Sequence, residues 1–272
     1  MNPVCHNQGV PQLPQRLTGA AKILGTITLR DRIDRSVDPT GAPMQIQLGT
    51  LTADFGDYSA ISSTASAEMD LTEGCVGIIS RPVRTGMVKP LGLQNLSVKG
   101  TAKGEILATS TSTGVYSISQ HDPLMANVAS VEIVGVTAGM GSFPSFDQMI
   151  KVVTPMEATE PKSDGTPELK NQAFTVGWVA GDSDWAEVDV TPVLKDMTMS
   201  NGGQVACFVP DTGCFTVPAM AATFLLAAQA DVYTVSIQRH RYVATMLGAG
   251  SGVEAEAISE WRLSLKNGVL AP

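Results

Sequence analysis

The residues best placed to do chemistry form an acidic run, Asp182, Asp184, Glu187 and Asp189, spread over a short loop and the strand that follows it. Hard divalent cations prefer carboxylate and carbonyl oxygens, so this run is a candidate calcium site, although its spacing is not that of an EF-hand. The competing reading is a solvated hairpin in which Asp182 and Ser183 shape the turn. Trp185 follows that turn and is a candidate surface residue for binding, whereas Trp178 and Trp261 sit in strand patterns and read as core. His6, His121 and His240 lie in three separate segments. A Ser-His-Asp triad would need a strained nucleophile turn such as G-x-S-x-G, which Gly250-Ser251-Gly252 does not supply. His121-Asp122 precedes Pro123 and reads as a turn. No catalytic residue is assigned, and no cofactor beyond calcium is implied. Arg239-His240-Arg241-Tyr242 is the sole basic cluster. It reads as an exposed strand of alternating charge, or as a contact to acidic neighbours, before it reads as a phosphate site.

Four cysteines stand at positions 5, 75, 207 and 214. With Pro210 and Asp211 as central turn residues, Val209 faces Thr212, Phe208 faces Gly213, and Cys207 lies opposite Cys214. Cross-strand Cβ atoms at such a pair are close enough to bridge. The expectation is therefore a hairpin disulfide between Cys207 and Cys214, with Cys5 and Cys75 as the residual pair. The spacing lacks CxxC and a nearby histidine, which argues against a zinc site.

Those residues must be held by strands. Short runs of β-branched and aromatic residues recur between Gly, Pro, Asp and Asn: 44–48, 75–80, 93–99, 105–109, 115–119, 128–137, 149–154, 174–178, 186–190, 233–238, 241–247 and 255–265. This spacing favours a sandwich over βαβ units. Phe174–Trp178 and Ala186–Val190 flank Ala180–Asp184 as a hairpin would. The single convincing helix is 218–229, opened by a proline suited to a first turn and rich in Ala and Leu. The expected fold is all-β, an antiparallel β-sandwich of Ig-like or jelly-roll type. Its expected division is an N-terminal arm over 1–40 with a possible first strand, a first β-domain or sheet half over 41–125, and a second β-sandwich domain over 126–272.

The formal charge of -8 in 272 residues argues against nucleic-acid or anionic-membrane partners, which call for a basic surface. Charged residues are only 16% of the chain, so many exposed positions must be hydroxyls and small side chains. No run approaches the roughly 20 apolar residues of a membrane helix. The first residues lack the basic and apolar regions of a signal peptide, so export would require a leader already removed.

The order Phe143-Pro144-x-Phe146, a run ending in Pro155, Phe174-Thr-Val-Gly-Trp178 before Gly181-Asp182, then Val205-Ala-Cys-Phe208 and Gly213-Cys-Phe-Thr-Val-Pro-Ala219, resembles the C-terminal domains of uncharacterised secreted β-sandwich proteins of soil bacteria, such as acidobacteria and myxobacteria. The likeness spans about Tyr116 to Leu247 and is most specific at Gly213–Ala219. It implies export and a sandwich fold, and it carries no catalytic motif. The combined expectation is a non-enzymatic extracellular or cell-surface structural or binding component. It would self-assemble as a homo-oligomer or meet a neighbouring surface protein, with the arm reaching a sheet edge. The alternatives are a carbohydrate-active or other hydrolytic enzyme with a dispersed loop site, and a viral or phage-like structural subunit.

Overall fold

Alternation governs this chain. In the first long strand Ile27 and Leu29 turn to one side and Thr28 and Arg30 to the other, because successive strand residues point to opposite faces. The computed structural model describes residues 5, 9–17, 21–37, 43–81, 83–160, 168–193, 203–248 and 250–268. His6 and residues 161–167 lie outside them.

In chain order the strands are β1 (Ile23–Val37), β2 (Pro43–Asp57), β3 (Ser62–Ser63), β4 (Ala67–Asp70), β5 (Cys75–Ser80), β6 (Arg84–Thr85) and β7 (Lys89–Pro90). Next come β8 (Leu93–Thr101), β9 (Gly104–Leu107), β10 (Thr109–Ser112), β11 (Val115–Gln120), β12 (Ser130–Thr137), β13 (Phe146–Lys151) and β14 (Ala158–Glu160). Then β15 (Glu168–Leu169), β16 (Phe174–Trp178), β17 (Trp185–Val193), β18 (Gln204–Val209) and β19 (Cys214–Val217) lead into helix α1 (Ala219–Leu226). The long pair β20 (Val232–Gly248) and β21 (Ser251–Asn267) ends the chain.

A single large sheet runs β10-β11-β2-β1-β21-β20-β17-β18-β5-β4, with β7 and β15 attached at its margins. All its central neighbours are antiparallel except β1 and β21, which run parallel from Ile23 opposite Ser251. Two smaller layers cover one face. The sheet β13-β12-β8-β9 closes a core over Leu51, Phe55, Leu96, Ile133 and Ala255. The sheet β14-β16-β19, with α1, closes another over Val188, Cys207, Phe215, Leu225 and Ile237. The all-β sandwich expectation holds, with two half-sandwiches sharing one continuous sheet. Both cores use the odd-numbered residues of β21: Val253 and Ala255 in one, Trp261 and Leu265 in the other.

Two expectations are corrected by the topology. Tyr233–Gln238 and Arg241–Leu247 are parts of one 17-residue strand, because Arg239 does not interrupt the ladder to β21. Phe174–Trp178 and Ala186–Val190 do not form a hairpin, since β16 pairs with β14 and β19 while β17 pairs with β18 and β20. In the first smaller layer β12 pairs with β8 along Glu132–Thr137. The helix is shorter than its sequence signal, and it buries Ala221, Ala222 and Leu225 against the second core. Among the described residues no helix is long and apolar enough to cross a membrane.

A buried cation ties the loops of the second core together. Arg239 is 1% exposed. Its Nε donates to Asp211 Oδ2 at 2.8 Å, Nη1 to the carbonyl of Pro155 at 2.9 Å, and Nη2 to the carbonyl of Val179. Gly181 permits this approach: a Cβ there would lie 2.5 Å from the guanidinium carbon. Asp211 also accepts from Trp178 Nε1 and from Ser183 Oγ, each at 2.8 Å. A buried charge persists only when paired and hydrogen-bonded in this manner.

Candidate polar groove on the uncovered sheet face

The other face of the large sheet carries the opposite phase of every strand. From β17 it takes Trp185, Glu187 and Asp189; from β20, Ser236, Gln238 and His240; from β21, Glu256 and Glu260. Antiparallel register sets these in rows, with Trp185 beside His240, Glu187 beside Gln238 and Asp189 beside Ser236. The result is a groove of about 770 Å³, roofed partly by Leu13, Pro14 and Arg16 of the N-terminal arm. Period-2 polar patterning normally marks a solvated face. Here the middle of that face is buried, with Glu260 at 0% and His240 at 4% exposed.

Partners for these groups are unequally distributed. Glu260 receives Arg30 at 2.8 Å, Ser236 Oγ at 2.6 Å and Arg262. Burial pushes its carboxyl up, but Arg30, Arg262 and Ser236 together outweigh burial and hold it below the usual glutamate value. Glu256 behaves alike: burial raises it, and His240 with Arg16 brings it lower. His240 Nδ1 lies 2.8 Å from Glu256 Oε1, and Arg16 reaches the other oxygen at 3.1 Å.

Glu187 and Asp189 have no such support. Among the described residues no lysine or arginine forms an ion pair with either one. Burial, then the neighbouring Asp189 and Glu256, drives the Glu187 carboxyl up to about 9, so it holds its proton at neutral pH. Asp189 is also raised by burial, against the hydrogen bonds and charge that oppose it; the amides of Gln204 and Gln238 reach it at 3.2 and 3.3 Å. The ring of Trp185 stacks on His240 with centroids 4.8 Å apart and planes 8° from parallel.

The predicted site residues therefore part company. Asp182 pairs with Lys151 at 2.6 Å, and Asp184 with Arg241 at 3.1 Å and the backbone N–H of Tyr242 at 2.9 Å. These two are neutralised at the loop, while Glu187 and Asp189 enter the groove. The four are not gathered about one point, and among the described residues no group of three or more His, Cys, Asp or Glu is arranged to hold a metal. Trp185 is not a surface platform: it is 3% exposed and forms the groove wall. The basic cluster is not an exposed strand, since Arg239 and His240 are buried and each basic group meets carboxylates. Trp178 and Trp261 are core residues, as their strand patterns predict. No local pattern signals the His240–Glu256 pair, whose members lie on adjacent strands.

All four cysteines are in disulfides, but with exchanged partners: Cys75 with Cys207, and Cys5 with Cys214. The hairpin pairing fails because β18 and β19 are never neighbours. The chain leaves the large sheet after Val209, turns at Pro210–Gly213, and enters the small sheet as β19. Cys207 instead stands opposite Cys75 in the β18–β5 ladder. Cys5 fastens the start of the arm to β19. Farther along, Val10 packs over Gly74, and the Leu17 N–H bonds Glu254. The arm thus crosses the polar face of its own chain from β5 toward β21.

No family model and no curated protein matches the chain. Among solved structures, it is similar to one described as a structural insight into host cell surface retention of a 1.5-MDa bacterial ice-binding adhesin, at 10% identity over 82% of this chain and 80% of that one, with a TM-score of 0.19. A tetra-tandem repeat from the extending region of a large adhesion protein is 11% identical over 89% of this chain and 74% of that one, TM-score 0.23. The chicken CNTN1 FN1-FN3 domains are 9% identical over 91% and 100%, TM-score 0.22. Likeness at this level carries no argument about function.

Proposed function

We propose that this chain is an exported, non-enzymatic β-sandwich that works as an extracellular or cell-surface binding component through the groove beneath its tethered arm. The observation that carries this reading is the juxtaposition of a partly unpaired polar groove with an arm fastened over it by Cys5–Cys214. A buried carboxyl pair without cations is costly to stability, and proteins commonly retain such groups where a ligand meets them. Oxidation of every cysteine supports residence in an oxidising compartment. The resemblance at Gly213–Ala219 to secreted β-sandwich proteins of soil bacteria points the same way. Because the arm packs on its own chain, exchange of the arm between copies has no part in the proposal.

The test is non-reducing peptide mapping of the protein from separated cell and culture fractions of its host. The reading expects 5–214 and 75–207 linkages in surface or medium fractions. Fully reduced thiols confined to the cell interior would sink it.

One observation favours a second reading. His240 held by Glu256, with the Glu187 carboxyl 3.4 Å from its other nitrogen, sets two titratable groups beside the groove where a bound group or one water would bridge them for proton transfer. Turnover of a groove ligand would make the protein a hydrolase.

A further inference from the structure

Two buried polar atoms in the groove have no hydrogen-bond partner: Trp185 Nε1 and His240 Nε2. Both residues line the groove. Leaving such a group unsatisfied is costly, so two on stacked neighbouring rings call for an occupant. Glu187 Oε2 is the nearest candidate for His240 Nε2, but at 3.4 Å it is too far for a good hydrogen bond.

Hydrogen-bond chemistry narrows the occupant. The indole N–H of Trp185 can only donate. His240 Nδ1 faces the Glu256 carboxylate, which favours the tautomer with its proton there and Nε2 as an acceptor. The occupant must therefore present an acceptor and a donor side by side. An ammonium group or a metal ion has no acceptor for the indole. A carboxylate or phosphate has no donor, and it would sit among Glu187, Asp189, Glu256 and Glu260. A hydroxyl group meets both demands through one oxygen.

The next rows extend the same logic. Glu187 shares a hydrogen bond with Asp189, and Asp189 is flanked by the amides of Gln204 and Gln238, so carboxyl oxygens and amide N–H groups alternate along this row. Ser236 and Thr234 continue the row along β20. Alternating donors and acceptors along strands match adjacent hydroxyls on a carbon chain or ring. The groove volume of about 770 Å³ lies within the range of small-ligand sites. Leu13 and Pro14 of the arm supply an apolar surface for C–H groups.

We infer that the groove binds a neutral polyhydroxylated ligand, a saccharide with adjacent hydroxyls, holding one hydroxyl between Trp185 Nε1 and His240 Nε2. This rests on the groove being the binding site, as proposed above. The test is ¹H–¹⁵N NMR of the oxidised full chain, following the three indole N–H signals during titration with glucose, galactose, N-acetylglucosamine and trehalose. Methylammonium and acetate serve as charged probes. The expected result is a saturable shift of the Trp185 indole signal with at least one sugar, while that of Trp178, already bonded to Asp211, stays put. Trp185→Phe keeps a ring against His240, removes the donor, and should weaken that sugar about tenfold, the size of one lost hydrogen bond. The wild-type titration needs no variant to fold, so it decides alone if Trp185→Phe is unstable. Saturation by methylammonium and by no sugar would overturn the hydroxyl inference and leave the groove reading standing. Silence of every probe to about 100 mM would overturn the inference and assign the two atoms to trapped water. Neither failure touches the disulfide map that tests export. Release of reducing ends from trehalose would uphold the ligand class and select the hydrolase reading.

Discussion

Removal of the Asp211 carboxylate should be among the most damaging single changes in the molecule. Arg239 is 1% exposed, and Asp211 is its only ion-pair partner among the described residues; its remaining donors go to the Thr154 hydroxyl and to uncharged carbonyls. Asp211→Ala leaves the guanidinium buried without a counter-charge, a defect that costs about 3–5 kcal/mol. The Trp178 and Ser183 donors that end on the same carboxylate lose their acceptor as well, which places the expected loss toward the upper end. Urea unfolding of the oxidised protein, followed by far-UV circular dichroism, reads this directly. With a slope of about 2–3 kcal/mol per molar urea, the midpoint should fall by about 1–2.5 M. Asp211→Asn, which preserves size and one acceptor, should lose less. The decisive variant is Asp211→Ala combined with Arg239→Met, because removing both charges of a buried pair is often close to neutral. A midpoint for Asp211→Ala within about 0.3 M of the parent, or a double variant no more stable than the single, would refute the argument that the stranded charge is what destabilises.

Four further expectations concern pH and the disulfides. The folded-state value of Glu187, up to about 9 against an ordinary 4.5, means that the folded chain holds a proton the unfolded chain releases. Its contribution is fully present below about pH 4.5 and lost as pH rises toward about 9; unfolding titrations at several pH values should show Glu187→Gln flattening that decline. Glu256 is lowered, so its contribution has the opposite sign: present above its ordinary value, lost in acid, and absent from the acid limb of Glu256→Gln. The paired change of Cys75 and Cys207 to Ser should cost about 2–5 kcal/mol by urea unfolding. The paired change of Cys5 and Cys214 to Ser should raise hydrogen–deuterium exchange over residues 9–17 and leave β8 and β12 protected; unchanged exchange over 9–17 would contradict the tethering role.

How much of this could be read from sequence depends on whether the deciding contact is local. The bounds of β5 and β16 match the expected 75–80 and 174–178 runs because breakers flank them and their pattern is self-contained. The unity of β20 was hidden by Arg239-His240-Arg241, which looks like an exposed interruption until Asp211, Glu256 and Asp184 arrive from elsewhere. The cysteine pairing failed on one assumption, that consecutive strands are neighbours; the turn at Pro210–Gly213 changes sheets instead. The groove was half legible. Glu187 and Asp189 were singled out as acidic, but their meeting with His240 depends on the order β21-β20-β17, which no local pattern encodes. A usable signal was present in β20, where Ser236, Gln238 and His240 alternate with Val235, Ile237 and Arg239 in a strand too apolar to be an edge.

The parallel pairing of β1 with β21 has a consequence for how the chain can be made. Strand β1 is made well before its parallel partner, which is synthesised only with Ser251–Asn267. Until then the β1–β2 hairpin offers a 15-residue strand with one edge open, and neither core has its shared wall. Contacts so distant in sequence make folding slow and leave the nascent chain exposed to mispairing. The same delay would leave a chain extended for longer before it closes, which is the state that the export proposed above requires.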